Sequence, residues 1–305
     1  MAGLLTATGA GREIEGSRMR AGVLQPRSRA GWNNCWPGAD FAGINITIRV
    51  SCMRIVIDTT ENAVISADGR HLDLYGKEAF ELISHLWLKT SWNQKYSYTF
   101  TWLGLPIIQH PEDLVRLQEV IFTLRPDVII ETGVAYGGSL VFCASLLRAM
   151  GSKSRVVGID IKIRPQNRKA IESHELTRYI SLIEGDSVGP EAVARAREFV
   201  RPGDKVMVIL DSNHTKAHVL NELGAYAPLV SPGSYIVATD GIMGLVHDTP
   251  RGKPEWDYDN PTQAAREFAA CHPEFALEEP KWRFNESELD RTITAWPGAW
   301  LKRIR

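Results

Sequence analysis

The sequence predicts an α/β protein: a mostly parallel, seven-stranded sheet with helices on both faces, preceded by an N-terminal helical cap. Two observations carry this. From Pro126 onward, short β-branched runs alternate with stretches of helical period, and those runs are apolar almost throughout rather than at every second position. Apolar strands separated by helices mean a parallel sheet covered on both sides.

Met53-Arg-Ile-Val-Ile-Asp58 opens like a first strand. From Gly76 to Trp92, the positions Phe80, Leu82, Ile83, Leu86 and Trp87 trace one face of an amphipathic helix. An aromatic segment from Trp92 to Trp102 follows, then Leu105-Pro-Ile-Ile-Gln-His-Pro111. Pro111 with Glu112 and Asp113 marks a helix start, since proline fits the first position and acids suit the positive end of the dipole. Residues 53–125 are expected to form the cap and 126–305 the main domain. The main domain offers strands at 128–132, 155–160, 179–184, 205–211 and 234–240, with helices near 138–150, 165–175, 190–200 and 216–229. A helix over 261–271 and late strands around 275–284 and 291–304 are expected to complete the sheet.

Composition narrows the function classes. Thirty-five basic residues against thirty-six acidic ones, without a Lys/Arg-rich run, exclude a polybasic nucleic-acid binder. No apolar stretch reaches the roughly 18 residues of a membrane span. Cys35, Cys52, Cys143 and Cys271 are scattered without a CxxC pair and read as reduced thiols of a cytoplasmic protein. Residues 1–52 carry six arginines against three acids and no periodicity, the composition of a disordered or artefactual leader.

In an open parallel sheet, ligands bind beyond the carboxyl ends of the strands. Here those ends carry Glu131, Asp160, Asp186, Asp211 and Asp240. Gly133, Gly137 and Gly138 form a glycine loop after the first main strand, but Ala135 breaks the G-x-G-x-x-G spacing. Glu131 at that turn would repel a diphosphate and suits a cationic ligand. Asp160 is placed to hydrogen-bond ribose hydroxyls, and Asp186 and Ser187 to hold an adenine amino group. Together they point to a nucleoside carrying positive charge, as S-adenosylmethionine does. Asp211, His214, Thr239 and Asp240 form a second constellation, whose oxygens suit Mg2+ and whose imidazole suits a general base. His218 and Lys216 read as surface residues of the following helix. The long segment from Gly241 to Asn260 is placed to cover an acceptor, with Trp256 and Tyr258 available for stacking on a sugar.

These residues, in this order, resemble the cephalosporin hydroxylase and rhamnosyl O-methyltransferase family. The resemblance is carried by Trp102-Leu-Gly-Leu-Pro106, Arg125-Pro-Asp127, Glu131-Thr-Gly133 with Gly137-Gly-Ser139, Gly185-Asp-Ser187 and Trp300-Leu-Lys-Arg-Ile304. Leu210-Asp-Ser-Asn-His-Thr-Lys-Ala-His218 is its most specific string. It implies a Rossmann-like class I methyltransferase fold and S-adenosylmethionine bordered by Glu131, Gly133, Ser139, Asp160 and Asp186. It also implies Mg2+ on Asp211 and Asp240, with His214 as base. One position departs from the pattern: Thr239 stands where the family usually has a second acid, and a hydroxyl is a poorer magnesium ligand.

The expected function is O-methylation of a small-molecule acceptor, a sugar or natural-product hydroxyl, by a chain expected to form a homo-oligomer. Two alternatives remain at this point: a non-catalytic cofactor-binding subunit, favoured by Thr239, and an NAD-dependent oxidoreductase, disfavoured by Glu131 and the broken glycine pattern.

Overall fold

The computed structural model describes residues 54–305; the expected leader lies outside the described residues. Three short strands come first: β1 (Val56–Asp58), β2 (Ala63–Ile65) and β3 (His71–Asp73), paired antiparallel in that order. The expected first strand therefore exists but belongs to a small separate sheet, because the short connection from Asp58 to Ala63 folds back as a hairpin. Next come α1 (Lys77–Asn93), the two-stranded β4 (Phe100–Trp102) and β5 (Leu105–Ile107), and α2 (Pro111–Leu124) with Pro111 in its first turn. The expected cap thus combines two helices with five short strands.

The main sheet is built from β6 (Val128–Thr132), β7 (Arg155–Asp160), β8 (Ile180–Glu184), β9 (Val206–Leu210) and β10 (Tyr235–Ala238), all parallel. Their helices are α3 (Gly138–Ala149), α4 (Pro165–Glu172), α5 (Pro190–Arg197) and α6 (Lys216–Tyr226). A one-turn α7 (Met243–Val246) and α8 (Pro261–Cys271) lead to β11 (Phe275–Leu277) and β12 (Trp300–Arg303). These last two strands join antiparallel, giving seven strands in the order β11-β12-β10-β9-β6-β7-β8.

Alternate residues of each central strand enter opposite cores. Ile129, Val156, Met207, Ile209 and Val237 pack with the apolar sides of α2 and α3. Val128, Ile130, Val157, Val208 and Ile236 pack with Ala192 of α5, Val219 and Leu223 of α6, and Ala265 and Phe268 of α8. Both faces are therefore covered, as the uniformly apolar strands require. Because α2 shares a core with β6 and α3, it helps cover the sheet as well as preceding it.

The two late strands are much shorter than expected, and residues 291–299 form none. A buried acid takes two of that segment's hydrogen bonds instead. Asp113, 2% exposed, accepts from Ala295 N at 2.9 Å and from the Thr294 hydroxyl. Removing this carboxylate in Asp113→Ala leaves a buried N–H without a partner and should cost about 1–3 kcal/mol in chemical denaturation. Burial pushes the Asp113 carboxyl up to about 7. Over roughly pH 4–7 the folded protein then keeps a proton that the unfolded chain has released, so this group's contribution to stability falls as pH rises. Asp113→Ala should flatten that part of the stability profile.

Candidate active site

The strand order reverses between β9 and β6, and the candidate site lies beyond the carboxyl ends of these two strands. Their ends are tied together: Asp211 N donates to Thr132 O at 2.9 Å. Gly133 turns with a φ of +90°, and a Cβ there would overlap the Asp211 carbonyl. Only glycine permits this approach. The loop that follows is pinned by Asp160, whose carboxylate accepts from Val134 N at 2.9 Å, Ala135 N at 3.3 Å and Lys162 N at 3.0 Å. The predicted ribose ligand therefore also organises the glycine loop.

Two adjoining cavities open here, sharing Gly133, Ala135 and Asp211. The smaller, about 40 Å³, is bordered by Gly137, Gly138 and Ser139 on one side and by Pro106 to Gln109 on the other. The larger, about 250 Å³, is lined by Asp160, Asp186, Ser187, Ser212, Asn213 and His218 as well. Neither lining includes a lysine or an arginine, so the pair favours a cation and disfavours a diphosphate. Asp186 is exposed and caps its own turn through Val188 N at 3.1 Å.

Glu131 lies beneath the glycine loop, 1% exposed. One of its oxygens accepts from the Ser139 hydroxyl; the other, Oε2, is buried without a partner. Burial pushes this carboxyl up to about 7, against the opposing pull of the Ser139 hydrogen bond.

On the other side of Asp211, one oxygen or nitrogen each from Asp211, His214 and Asp240 gather within 4.8 Å of one another. His214 Nε2 is 3.3 Å from Asp240 Oδ2 and 4.0 Å from Asp211 Oδ1. Asp240 reaches this position with a φ of 60°, in the left-handed region where aspartate is one of the few tolerated residues. Burial, and then the Asp240 charge, push the Asp211 carboxyl well above the ordinary carboxylate range, with His214 opposing.

Thr239 stands beside this cluster, fully buried. Its hydroxyl lies 2.9 Å from Leu210 O and 2.8 Å from Asp211 Oδ1, with a single proton to share between them. Gln109 donates to the other Asp211 oxygen at 2.8 Å. The Asp211 carboxylate is thus clamped from both sides. Gln109 carries no motif of its own and acts only through the folding of β5 against α3, so local sequence gave no signal of it.

Two sequence expectations need correction. His218 is not a surface residue; its ring contacts Ser187, Ser212 and Glu222. Lys216 does lie toward the surface, where it pairs with Glu267. Trp256 is not free to stack on an acceptor, because its ring sits edge-on against Trp92 at 5.4 Å. Tyr258 remains 68% exposed. The segment after β10 is also held to α1 by an ion pair between Lys89 and Asp248 at 2.6 Å.

A parallel sheet with a glycine turn at its switch point and acids at its strand ends defines an α/β protein of the doubly wound class, whose ligands bind in the crevice at that point. Comparison with known proteins narrows this. The family described as Rhamnosyl O-methyltransferase/CmcI matches residues 94–304, and the chain belongs to that family. It is 31% identical over 147 residues to a rhamnosyl O-methyltransferase of Mycobacterium leprae (strain TN), a match covering 48% of this chain and 62% of that one. With the rhamnosyl O-methyltransferase of Mycobacterium bovis (strain BCG / Pasteur 1173P2) it shares 30% identity over 142 residues, covering 46% and 56%. The chain thus spans about three-fifths of the length of these relatives. Among solved structures, an apo-structure of CmcI aligns with a TM-score of 0.46 at 19% identity, covering 68% of this chain and 77% of that one. MycE, a methyltransferase from the mycinamycin biosynthetic pathway in complex with Mg and SAH, aligns with a TM-score of 0.40 at 21% identity, covering 64% and 48%. Among the described residues, no helix is long and apolar enough to cross a membrane.

Proposed function

We propose that this protein transfers the methyl group of S-adenosylmethionine to a hydroxyl of a small acceptor, a sugar or natural product, with Mg2+ assistance. The observation that carries the reading is the juxtaposition of two features. A cleft lined by acids and lacking cations adjoins a cluster of two carboxylates and an imidazole, and Asp211 belongs to both. The residues fit the groups. The unpartnered Glu131 Oε2 lies beneath the loop expected to face a sulfonium nucleoside, and the oxygen donors of Asp211 and Asp240 suit a hard cation. When bound, S-adenosylmethionine supplies the methyl group and Mg2+ lowers the pKa of an acceptor hydroxyl.

The chain's own residues do the rest. Gly133 and Gly137 let the backbone approach the nucleoside, and Asp211 marks the boundary between donor and acceptor. Asp211 and Asp240 offer the cation their oxygens. Magnesium prefers oxygen to nitrogen, which leaves the His214 imidazole outside the ion's ligands and available to take the acceptor's proton. The Asp240 carboxylate, 3.3 Å away, stabilises the imidazolium that results. Catalysis then rests chiefly on holding the acceptor oxygen in line with the methyl carbon.

Thr239 has a role in this scheme without being a ligand: it orients Asp211. Thr239→Val should weaken Mg2+ binding by about 10–100-fold, the usual consequence of losing a group that orients a metal ligand. Calorimetric titration with Mg2+ checks this. The reading itself is tested by titrating the full chain with S-adenosylhomocysteine and then with Mg2+. Two separate binding events are expected. Binding of NAD in place of the nucleoside, or no Mg2+ event, contradicts it.

A further inference from the structure

Under the wider end of the cleft lies a polar network that methyl transfer itself does not use. His218 and Glu222 stand one turn apart on α6 and point to the same side. His218 Nε2 is 3.2 Å from Ser187 Oγ, 3.2 Å from Ser212 Oγ and 3.3 Å from Glu222 Oε1. The Ser212 hydroxyl donates to that same carboxylate oxygen at 2.6 Å. The Tyr226 hydroxyl donates to Ser187 O at 2.7 Å, fixing the backbone on which Ser187 sits. Glu222 is fully buried and its Oε2 has no partner. A carboxylate buried in this way destabilises the fold, so packing alone gives no reason for it.

The proton inventory gives a reason. A carboxylate at Glu222 offers only acceptors, which directs the proton of the imidazole to the His218 nitrogen facing it. The Ser212 hydroxyl donates its one hydrogen bond to Glu222 and can only accept from the cleft. Ser187 faces a nitrogen that is already protonated, so its hydroxyl proton is free for the cleft. Side by side on the wall, the two serines therefore present one acceptor and one donor. The Watson–Crick edge of adenine offers the complement: an amino donor at N6 and an acceptor at N1.

We infer that His218 and Glu222 are positioning residues that fix the hydroxyl directions of Ser212 and Ser187, making the cleft selective for adenine over its deaminated counterpart. The inference rests on the proposed use of S-adenosylmethionine and deepens it. Hypoxanthine carries an acceptor at position 6 and a donor at N1, the reverse pattern, and meets two mismatched hydroxyls.

The test compares S-adenosylhomocysteine with S-inosylhomocysteine by calorimetry, using wild type, His218→Gln, His218→Leu and Glu222→Gln. Wild type should prefer the adenosyl compound by about 10-fold or more. His218→Gln, which keeps a donor near the Nε2 position, should retain most of that preference. His218→Leu and Glu222→Gln should reduce it to within about 3-fold while the Mg2+ event persists, which general damage to the site would not produce. A preference unchanged in both His218→Leu and Glu222→Gln overturns the inference and leaves the methyltransferase reading standing. Failure of wild type to bind either nucleoside overturns both.

Discussion

Asp211→Asn is expected to reduce methyl transfer by about three orders of magnitude or more, ~4 kcal/mol of barrier, while leaving S-adenosylhomocysteine binding nearly intact. The asymmetry follows from where Asp211 sits. Its side chain sits with His214 and Asp240 and is clamped by Thr239 and Gln109, while Gly133, Asp160 and Ser187 of the adjoining cleft are left untouched. Asparagine keeps the backbone and the volume but removes the charge a cation needs. Its amide also has to present a donor to one of two groups that donate to Asp211. The Mg2+ event in calorimetry should vanish with the activity. Equal loss of nucleoside binding would mean that the substitution had damaged the fold rather than the acceptor side.

Gly133→Ala is expected to produce the largest loss of stability and of nucleoside affinity together. At a φ of +90° an L-residue is strained, and the new Cβ would stand 2.6 Å from the Asp211 carbonyl carbon and closer still to its oxygen. Neither partner is free to move. Gly133 N donates to Ile159 O at 2.7 Å, and Asp211 N is held by Thr132 O. Strain and overlap together should cost about 3 kcal/mol or more, lowering Tm by roughly 6 °C or more in a chain of this size. Surviving protein should bind S-adenosylhomocysteine poorly, because separating β6 from β9 pulls the cleft open at its narrowest point. Thermal melts and calorimetry on the same sample check both effects.

The central sheet was legible because its strands are buried on both faces. Val128–Thr132 and Arg155–Asp160 announce themselves by continuous apolar β-branched composition, and the observed bounds coincide with those read from the sequence. The periphery was less legible. Residues 292–296 carry the β-branched and aromatic residues of a strand, yet Asp113, nearly two hundred positions earlier, captures Thr294 and Ala295, and Pro297-Gly298 follows at once. No local pattern encodes such a bond. The same distinction applies at the site. Asp211, His214 and Asp240 follow strand ends and could be named from position alone, and the fold gathers them. Gln109 acts across a hundred residues of sequence and was invisible. His218 was read as a surface residue and Glu222 gave no signal, because their contact and burial depend on how α6 meets the loops after β8 and β9.

The account depends most on Asp211 and Asp240 gripping one ion beside the nucleoside cleft. The direct test is a crystal of the full chain grown with S-adenosylhomocysteine and Mn2+, with anomalous scattering recorded to locate the metal. The account predicts a single anomalous peak at about 2–2.4 Å from oxygens of both Asp211 and Asp240, with the nucleoside lying against Gly133 and Ser187. A peak bound elsewhere, or a nucleoside outside that cleft, would contradict it.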